Sequence, residues 1–469
     1  MLRLPYLALV STLALTGCTG LTFGENNPGQ DTWLEDGSIA VDDRTETSYV
    51  LAGEAKTDAQ NPYPTSTLFA VDPDSGLVRT VEELSGRTDP RLLFPASGLL
   101  VMSEANDKDR IDLYDHETLA LKKSVDLDIR YHGTRMSPSR KFIGVADNTS
   151  DRSPIHIIEA ETLDRHVVPH DGEWLELNFM NKSDTFVSIV FYDQSTQNPR
   201  ARLLGWSMEQ VASTGYQLDE TGKLWTAPLF DIDVPNTAWD IAFSWSYVGI
   251  SPDDKYVVFP VQKTEAQPNG ELASTHMLLV LDTMTKEVRE VPGKGPVGFA
   301  PDGSTIVSYG DQDNDGNQEL WLIDAITLET EQEPVKISGG INYFISRDGN
   351  YVVVAPSATG TARLVLYDVD QDKSTQMDGP HLHLDEFVTR VGHKEMWLVE
   401  DESLYRIDLV EATATEVLTS FAPEHVNILP KRDRLVLDDA SSNNLFFFDP
   451  NIQGVKSTVG LPVSAKTSP

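Results

Sequence analysis

Short runs of alternating apolar and polar residues extend along nearly the whole chain, and one arrangement of these runs recurs about every 40–45 residues. Each copy is an apolar strand that enters an acidic or polar turn and is followed by a second short strand. Nine copies begin at Leu68, Ile111, Ile155, Ala201, Met277, Leu320, Leu364, Leu404 and Leu445. A period in the 40s that is carried by strands is typical of a β-propeller.

A second element precedes most copies and reads as a strand, a tight turn and another strand. It is clear from Arg135, Gly249, Gly298 and Phe344, and weaker from Asn178 and Asn427. In the copy from Gly298 the turn is Pro-Asp-Gly, in which Pro presets φ, Asp caps the turn and Gly accepts a positive φ. Two hairpins per period make the four strands of one blade, so the sequence predicts an all-β chain folded as a single β-propeller.

The number of blades is less clear because about 75 residues separate the copies at Ala201 and Met277. Propellers typically have four to eight blades, so we expect eight, with seven or nine open. The long gap is either a loop insertion or the remains of a blade. We also expect N-terminal strands to pair with the last blade, since closure removes an exposed sheet edge.

The segment from Gly298 to Asp324 resembles the WD-repeat-like propeller repeat of TolB-type periplasmic proteins. The shared features are the Ala-Pro-Asp-Gly turn, the β run, the Asp/Gly loop and the apolar strand that ends in Asp. The resemblance covers about four repeats well and supports the fold, because such turns are structural. It does not make the chain TolB itself, which has a further domain before its propeller, whereas repeat-like strands begin here near Ile39.

The N-terminus combines Arg3 with an apolar run that is too short to span a bilayer and suits a secretory signal peptide. Residues 15–18, Leu-Thr-Gly-Cys, resemble the lipobox of bacterial lipoproteins, and Cys18 is the one cysteine of the chain. The resemblance implies acylation of Cys18 and cleavage before it. Thr19 in the following position implies the outer membrane, on a face that the sequence leaves open.

These patterns predict four regions. Residues 1–17 are the signal peptide, 18–32 the lipidated cysteine and flexible tether, 33–462 the propeller domain, and 463–469 a disordered C-terminal tail.

The chain has 37 Lys and Arg against 73 Asp and Glu, a formal net charge of −36. This charge repels nucleic acid and anionic lipid surfaces, so we expect no nucleic-acid partner and a membrane contact made through the lipid. The acidic residues are spread through every repeat, which is typical of a well-solvated surface.

One loop has the spacing of a calcium site. Asp311, Asp313, Asp315, Asn317 and Glu319 place oxygen ligands at alternate positions, with a glycine at the sixth. The Glu of an EF-hand is missing at position twelve, so the loop is closer to the strand-loop calcium sites of integrin-type propellers. We expect bound Ca²⁺ to be structural; the alternative is an acidic loop that is merely solvated.

Two further motifs are weaker. His381 and His383 with a following acid could hold zinc, but they lie at a blade junction where polar loops are ordinary. The glycine spacing from Gly293 to Gly298 matches a dinucleotide-binding loop, but it leads into a strand and is rejected.

The irregular segment 216–248 carries Trp225, Trp239 and Trp245, which we predict as partner contacts. Nucleophile motifs such as Gly-x-Ser-x-Gly are missing from the sequence. We therefore expect a monomeric, non-catalytic, lipid-anchored scaffold of the cell envelope that binds an envelope protein, polymer or ligand. The alternative is a propeller hydrolase or lactonase with a metal-assisted site at the channel mouth.

Overall fold

The computed structural model of the chain describes residues 32–33 and most of 39–461. The longer stretches outside the described residues are 1–31, 34–38, 55–64, 82–87, 148–154, 194–199, 210–228, 239–247, 267–271, 311–316, 357–362, 378–386 and 462–469. Within the described residues, no helix is both long enough and apolar enough to cross a bilayer.

Thirty-eight strands make up the described fold, and a short strand, β1 (Thr32–Trp33), precedes the first blade. Blades 1 to 3 contain β2 (Ile39–Val41), β3 (Ser48–Glu54), β4 (Thr65–Val71) and β5 (Val78–Thr80); β6 (Thr88–Leu93), β7 (Leu99–Ala105), β8 (Lys108–Tyr114) and β9 (Leu121–Asp126); β10 (Tyr131–Met136), β11 (Phe142–Asp147), β12 (Ile155–Glu159) and β13 (Arg165–Val168).

Blades 4 to 6 contain β14 (Glu173–Phe179), β15 (Thr185–Asp193), β16 (Arg200–Ser207) and β17 (Phe230–Pro235); β18 (Thr237–Ala238), β19 (Gly249–Ile250), β20 (Tyr256–Ala266), β21 (Leu272–Asp282) and β22 (Val288–Pro292); β23 (Val297–Phe299), β24 (Thr305–Gly310), β25 (Asn317–Asp324) and β26 (Val335–Ser338). Blades 7 to 9 contain β27 (Ile341–Ile345), β28 (Tyr351–Pro356), β29 (Val365–Asp368) and β30 (Lys373–Gln376); β31 (Phe387–Thr389), β32 (Glu395–Glu400), β33 (Ser403–Asp408) and β34 (Thr413–Val417); β35 (Pro423–Leu429), β36 (Arg434–Asp439), β37 (Asn444–Asp449) and β38 (Gly454–Gly460).

The all-β propeller predicted from the sequence is confirmed, and the described residues form nine antiparallel sheets. Nine is one of the two counts left open beside the favoured eight. The nine sequence copies correspond to the third strands of the nine blades, from β4 to β37. The long gap after Ala201 has two sources. Residues 210–228 lie in the sequence between β16 and β17, the last two strands of blade 4. Residues 239–248 lie in the sequence between β18 and β19, the two parts of the first strand of blade 5.

First strands of several neighbouring blades contact each other, as β2 does with β35 and β10 with β14, so the first strand of a blade is the innermost one. Since successive strands are antiparallel, the turns between first and second strands and between third and fourth strands lie on one side of the ring, here called the turn face. The loops between second and third strands, and the connections between blades, lie on the opposite side, here called the loop face.

The hydrophobic core lies between blades. Two examples are the cluster of Leu100, Met102, Ile143 and Val145 between blades 2 and 3, and the cluster of Trp397, Leu404, Leu435 and Phe448 between blades 8 and 9. Trp397 is fully buried, and Trp321 packs against the core between blades 5 and 6. Each blade therefore depends on its neighbours for burial of its apolar faces.

The prediction that N-terminal strands pair with the last blade is wrong. Blade 9 consists of four strands from the C-terminal part of the chain, and β1 instead pairs with β6, the innermost strand of blade 2. The ring closes through side chains, because an apolar cluster that includes Ile39, Val41, Leu429 and Phe447 fills the space between blades 1 and 9. Two complete four-stranded blades can meet in this way without sharing a strand.

Polar contacts on the turn face join neighbouring blades. Asp254 of blade 5 accepts backbone N–H groups from Lys182 and Ser183 of blade 4, with N–O distances of 3.0 and 2.9 Å. Asp433 of blade 9 accepts Arg390 of blade 8 at 2.8 Å, and Glu46 of blade 1 accepts Arg432 of blade 9. Asp254, Asp433 and Glu46 all have positive φ, so in each of these three turns a left-handed residue presents an acid to the preceding blade.

Candidate functional site

A carboxylate–imidazole cluster lies on the loop face of blade 9, where β35 begins and β36 ends. Its members are Glu424, His425 and Asp438, whose ligand atoms all lie within 4.8 Å of one another. Glu424 is exposed, His425 is half-buried and Asp438 is buried. The cluster thus has one member at the surface and one fixed within the blade.

A β-bulge brings these residues together. The pairing of β35 with β36 shifts register between Pro423 and Val426, so Glu424 and His425 both lie opposite the end of β36. Bulges of this kind re-aim a side chain at the end of a strand. Without the extra residue, Glu424 and His425 would alternate between the two faces of the sheet.

Two hydrogen bonds hold His425 against Asp438. The backbone N–H of His425 donates to Oδ1 of Asp438 at 2.7 Å, and Nδ1 of His425 lies 3.0 Å from Oδ2 of the same carboxylate. The neighbouring Asp439 accepts the Ser442 hydroxyl at 2.6 Å, which ties the following loop to the strand end. Asp438 therefore orients the imidazole, as carboxylates do for metal-binding and catalytic histidines.

The cluster has the donor set of a zinc or manganese site, one imidazole nitrogen and two carboxylates. Metal–ligand bonds of about 2.0–2.2 Å place two ligands at most about 4.4 Å apart. The 4.8 Å limit on the distances within the cluster is close to this value.

A shallow cleft of about 330 Å³ opens on the loop face beside this cluster. Its lining consists of Glu402, Ser403, Glu416, Val417 and the connection 418–422 that leads from β34 into blade 9. Two carboxylates and two hydroxyl-bearing residues of the connection surround apolar side chains. The cleft therefore suits a ligand with both cationic and apolar groups.

An aromatic pair fixes one wall of the cleft. The rings of Phe421 and Phe446 stack with centroids 3.7 Å apart and an interplanar angle of 4°. The Thr419 hydroxyl donates to the carbonyl oxygen of Phe421 at 2.5 Å, which stabilises the bend of the connection. Leu418, in contrast, is 87% exposed at the edge of the cleft. The wall is rigid and its edge is apolar, a combination found in protein-binding surfaces.

Most residues singled out in the sequence lie outside the described residues. These are Cys18, Trp225, Trp239, Trp245, Asp311, Asp313, Asp315, His381 and His383. Of the predicted calcium ligands, Glu319 is buried in β25, where it lies opposite Gly310, and Asn317 begins the same strand. In the sequence, residues 311–316 lie between β24 and β25. Calcium binding stays a prediction.

The strands β17 and β18 lie within the segment 216–248, which the sequence pattern presented as one irregular segment. In the sequence, Trp225 precedes β17, and Trp239 and Trp245 lie between β18 and β19. The rejection of the dinucleotide loop agrees with the structure, because β23 follows Gly293 where a helix would be required.

The sequence did not reveal Glu424, His425 and Asp438 as a site. His425 and Asp438 are 13 positions apart in the sequence, and neither belongs to a recognisable motif. The one local signal is the Pro-Glu-His sequence at the start of a strand, which marks no particular chemistry. The bulge and the pairing of β35 with β36 bring these residues together.

Comparison with known proteins found similarity in structure alone. No protein-family model and no curated protein sequence matches the chain. A eukaryotic initiation factor superimposes with a TM-score of 0.53 at 11% identity, over 84% of this chain and 93% of that chain. An oligogalacturonate lyase in complex with manganese gives a TM-score of 0.39 at 14% identity, over 76% and 96% of the two chains. TolB from Acinetobacter baumannii gives 0.30 at 11% identity, over 79% and 80%.

These similarities establish the class of protein: a β-propeller with nine blades in its described residues. Identities of 11–14% carry no function from one propeller to another.

Proposed function

We propose that this chain is a lipid-anchored β-propeller of the bacterial outer membrane that binds another envelope protein through its loop face and catalyses no reaction. The lipobox-like sequence that ends at Cys18 supports the anchor. The cleft beside blade 9, with its acidic lining and exposed Leu418, supports the binding role and is the observation that carries the proposal.

The chemistry of the cleft defines the partner segment. Glu402 and Glu416 favour Lys or Arg side chains, and the net charge of −36 attracts basic segments over longer distances. Leu418 and Phe421 favour apolar side chains between the cations. The partner segment is therefore a basic and partly apolar stretch of protein.

Cross-linking tests this proposal. Tagged protein is isolated from membranes after mild cross-linking, and the wild type is compared with Leu418→Asp. The substitution lies at an 87% exposed side chain, so the fold tolerates it, and we expect recovery of a stoichiometric partner to fall at least fivefold. Leu77→Asp, at a 56% exposed side chain on the turn face of blade 1, serves as the matched control and should leave recovery unchanged.

A preparation that contains no stoichiometric partner would reject the binding role of the cleft. Equal recovery of the partner with Leu418→Asp and with Leu77→Asp would reject it as well. Recovery of an envelope polymer instead of a protein would show that the proposed protein partner is wrong. The anchor is tested separately, because the intact mass of membrane-derived protein shows whether Cys18 carries acyl chains.

The alternative function is a metal-assisted hydrolase or lactonase, and the cluster of Glu424, His425 and Asp438 favours it. A metal held there would polarise a carbonyl or activate a water molecule. Titration calorimetry with Zn²⁺ and Mn²⁺ would detect the site, and His425→Gln should abolish the heat of binding. Metal-dependent turnover of esters or lactones that is lost in His425→Gln would make the enzyme the better interpretation.

A further inference from the structure

The direction of β1 shows from which side the chain enters the propeller. Thr32 lies opposite Leu92 and Trp33 opposite Arg91, and the pairing is antiparallel. The strand β6 runs from the loop face to the turn face, because the connection from blade 1 precedes it and a first turn follows it. The strand β1 therefore runs the opposite way, and the chain before Thr32 arrives from the turn face.

The predicted lipid anchor precedes Thr32 by fourteen residues. Fully extended, such a tether reaches at most about 50 Å. Because the tether joins the propeller at the turn face, this face lies nearest to the membrane. The exposed side chains of the turn face are therefore the ones that could contact a bilayer.

The four most exposed large apolar side chains described on the turn face lie on one side of the ring. Met284, Ile326, Val410 and Ile452 lie in the turns between third and fourth strands of blades 5, 6, 8 and 9, and are 80%, 72%, 58% and 63% exposed. Leu77 in the same turn of blade 1 follows at 56%. At the position of Met284, Ile326 and Val410, two residues after the acid that begins the turn, blades 1 to 3 carry exposed acids instead. These acids are Asp74, Glu117 and Glu161.

The turn itself does not require an apolar residue. Met284, Ile326 and Val410 each lie two residues after the turn aspartate, and each donates its backbone N–H to that aspartate at 2.9–3.0 Å. Asp74 and Glu117 make the same contact at 3.0 Å in blades 1 and 2. Since this residue takes part in the turn through its backbone N–H, its side chain is available for another role.

Single exposed apolar residues are ordinary in soluble proteins. Here four of them occupy corresponding turns on one side of the ring, on the face from which the tether enters. A bilayer is the occupant that both observations fit, since shallow insertion of apolar side chains adds to the affinity of a lipid anchor. Anionic lipids would repel Asp74, Glu117 and Glu161, so blades 1 to 3 tilt away from the membrane surface.

We propose that the turn face of blades 5 to 9 rests on the membrane surface, with Met284, Ile326, Val410 and Ile452 in contact with the lipid. This inference rests on the proposed lipid anchor and adds an orientation to it. The loop face then points away from the membrane, which leaves the cleft and the cluster of Glu424, His425 and Asp438 accessible to a partner or substrate.

The test attaches the protein to vesicles by chemistry, independently of natural acylation. Purified chain from residue 18 onward is coupled through Cys18, its one cysteine, to maleimide-bearing phosphatidylethanolamine in vesicles of phosphatidylcholine and the anionic lipid phosphatidylglycerol. Hydroxyl-radical footprinting read by mass spectrometry then compares coupled protein with free protein. We expect modification of Met284, Ile326, Val410 and Ile452 to fall at least threefold.

Two other exposed leucines are internal controls. Leu418 on the loop face and Leu77 on the turn face of blade 1 should be modified equally in coupled and free protein. In a second control, a Cys18→Ser chain with Leu418→Cys is coupled through the loop face. The four apolar residues should then be modified as in free protein.

Unchanged modification of the four residues after Cys18 coupling, or protection of Leu418 instead, would overturn the proposed orientation. Protection of Leu77 together with the four apolar residues would overturn the tilt, because the whole turn face would then contact the membrane. A lack of natural acylation at Cys18 would show in the mass of membrane-derived protein and would reject the anchor without affecting the footprinting result.

Discussion

Asn427 donates its side-chain amide to the backbone carbonyl of Ile39, with 2.9 Å between Nδ2 and O, and so joins residues 388 positions apart. This bond links the innermost strands of the first and last blades. Nearby, Arg432 of blade 9 contacts Glu46 of blade 1, whose side chain is buried, and also Asp74 at the surface. In the part of the chain that the structure describes, the two blades share no strand, and these side chains close the ring.

We expect Arg432→Met to destabilise the propeller by about 1–3 kcal/mol. The substitution leaves the buried Glu46 carboxylate without its guanidinium partner, and only the backbone N–H groups of residues 431 and 432 still donate to it. Urea unfolding followed by fluorescence measures the loss. Arg202→Met is the matched control, since it breaks an exposed pair with Asp231 inside one blade and should cost less than about 1 kcal/mol. Equal losses in the two variants would contradict a special role for the closure contact.

Acid should weaken the junction between blades 8 and 9. Burial alone would raise the pKa of Glu395, but hydrogen bonds from Arg390, Arg406 and Trp397 outweigh burial and place the pKa below its usual value. The hydrogen bond from Arg390 likewise lowers the pKa of Asp433.

Both folded pKa values are lower than the unfolded values of about 4.3 for Glu and 3.9 for Asp. The stabilisation is therefore complete above those unfolded values and is lost as the pH falls through the folded ones. Melting temperatures between pH 7 and pH 3 should fall more steeply for the wild type than for Glu395→Gln with Asp433→Asn. Parallel curves would show that this cluster makes no contribution to the pH dependence.

Calcium should raise the melting temperature if the loop 311–319 binds it, because a ligand that binds the folded state stabilises it by mass action. At a calcium concentration one hundred times the dissociation constant, the gain is about 2.7 kcal/mol. Asp313→Ala with Asp315→Ala should remove the shift while leaving the melting temperature in EDTA unchanged. A wild type that melts at the same temperature in calcium and in EDTA would end this prediction.

Lys286→Gly should stabilise blade 5. Lys286 has a φ of +64°, in the left-handed region that costs a residue with a side chain about 1–2 kcal/mol. Its side chain is exposed, and its backbone N–H closes the turn by donating to the Asp282 carbonyl at 2.8 Å, a bond that Gly retains.

After the added entropy of the unfolded chain is subtracted, we expect a net gain of about 0.5 kcal/mol in urea unfolding. Lys286→Ala retains the positive φ without the long side chain and is the matched control. A gain in Lys286→Ala equal to that in Lys286→Gly would assign the effect to the side chain and not to the backbone.

The sequence by itself determined the repeat and its local chemistry. Gly303 has a φ of +79° in the Pro-Asp-Gly turn as predicted, because turn geometry depends on residues within four positions of each other. The nine apolar copies likewise identified the third strand of every blade, since alternation along a strand is a local property.

Tertiary structure decided how the blades meet and which polar groups come together. Glu46 and Arg432 face each other only because the ring closes, and β1 pairs with β6 although nothing in residues 32 and 33 specifies that strand. His425 reaches Asp438 only through a bulge in the pairing of β35 with β36. Such contacts join residues distant in sequence, and their free energy depends on the packing of whole blades, for which local pattern gives no signal.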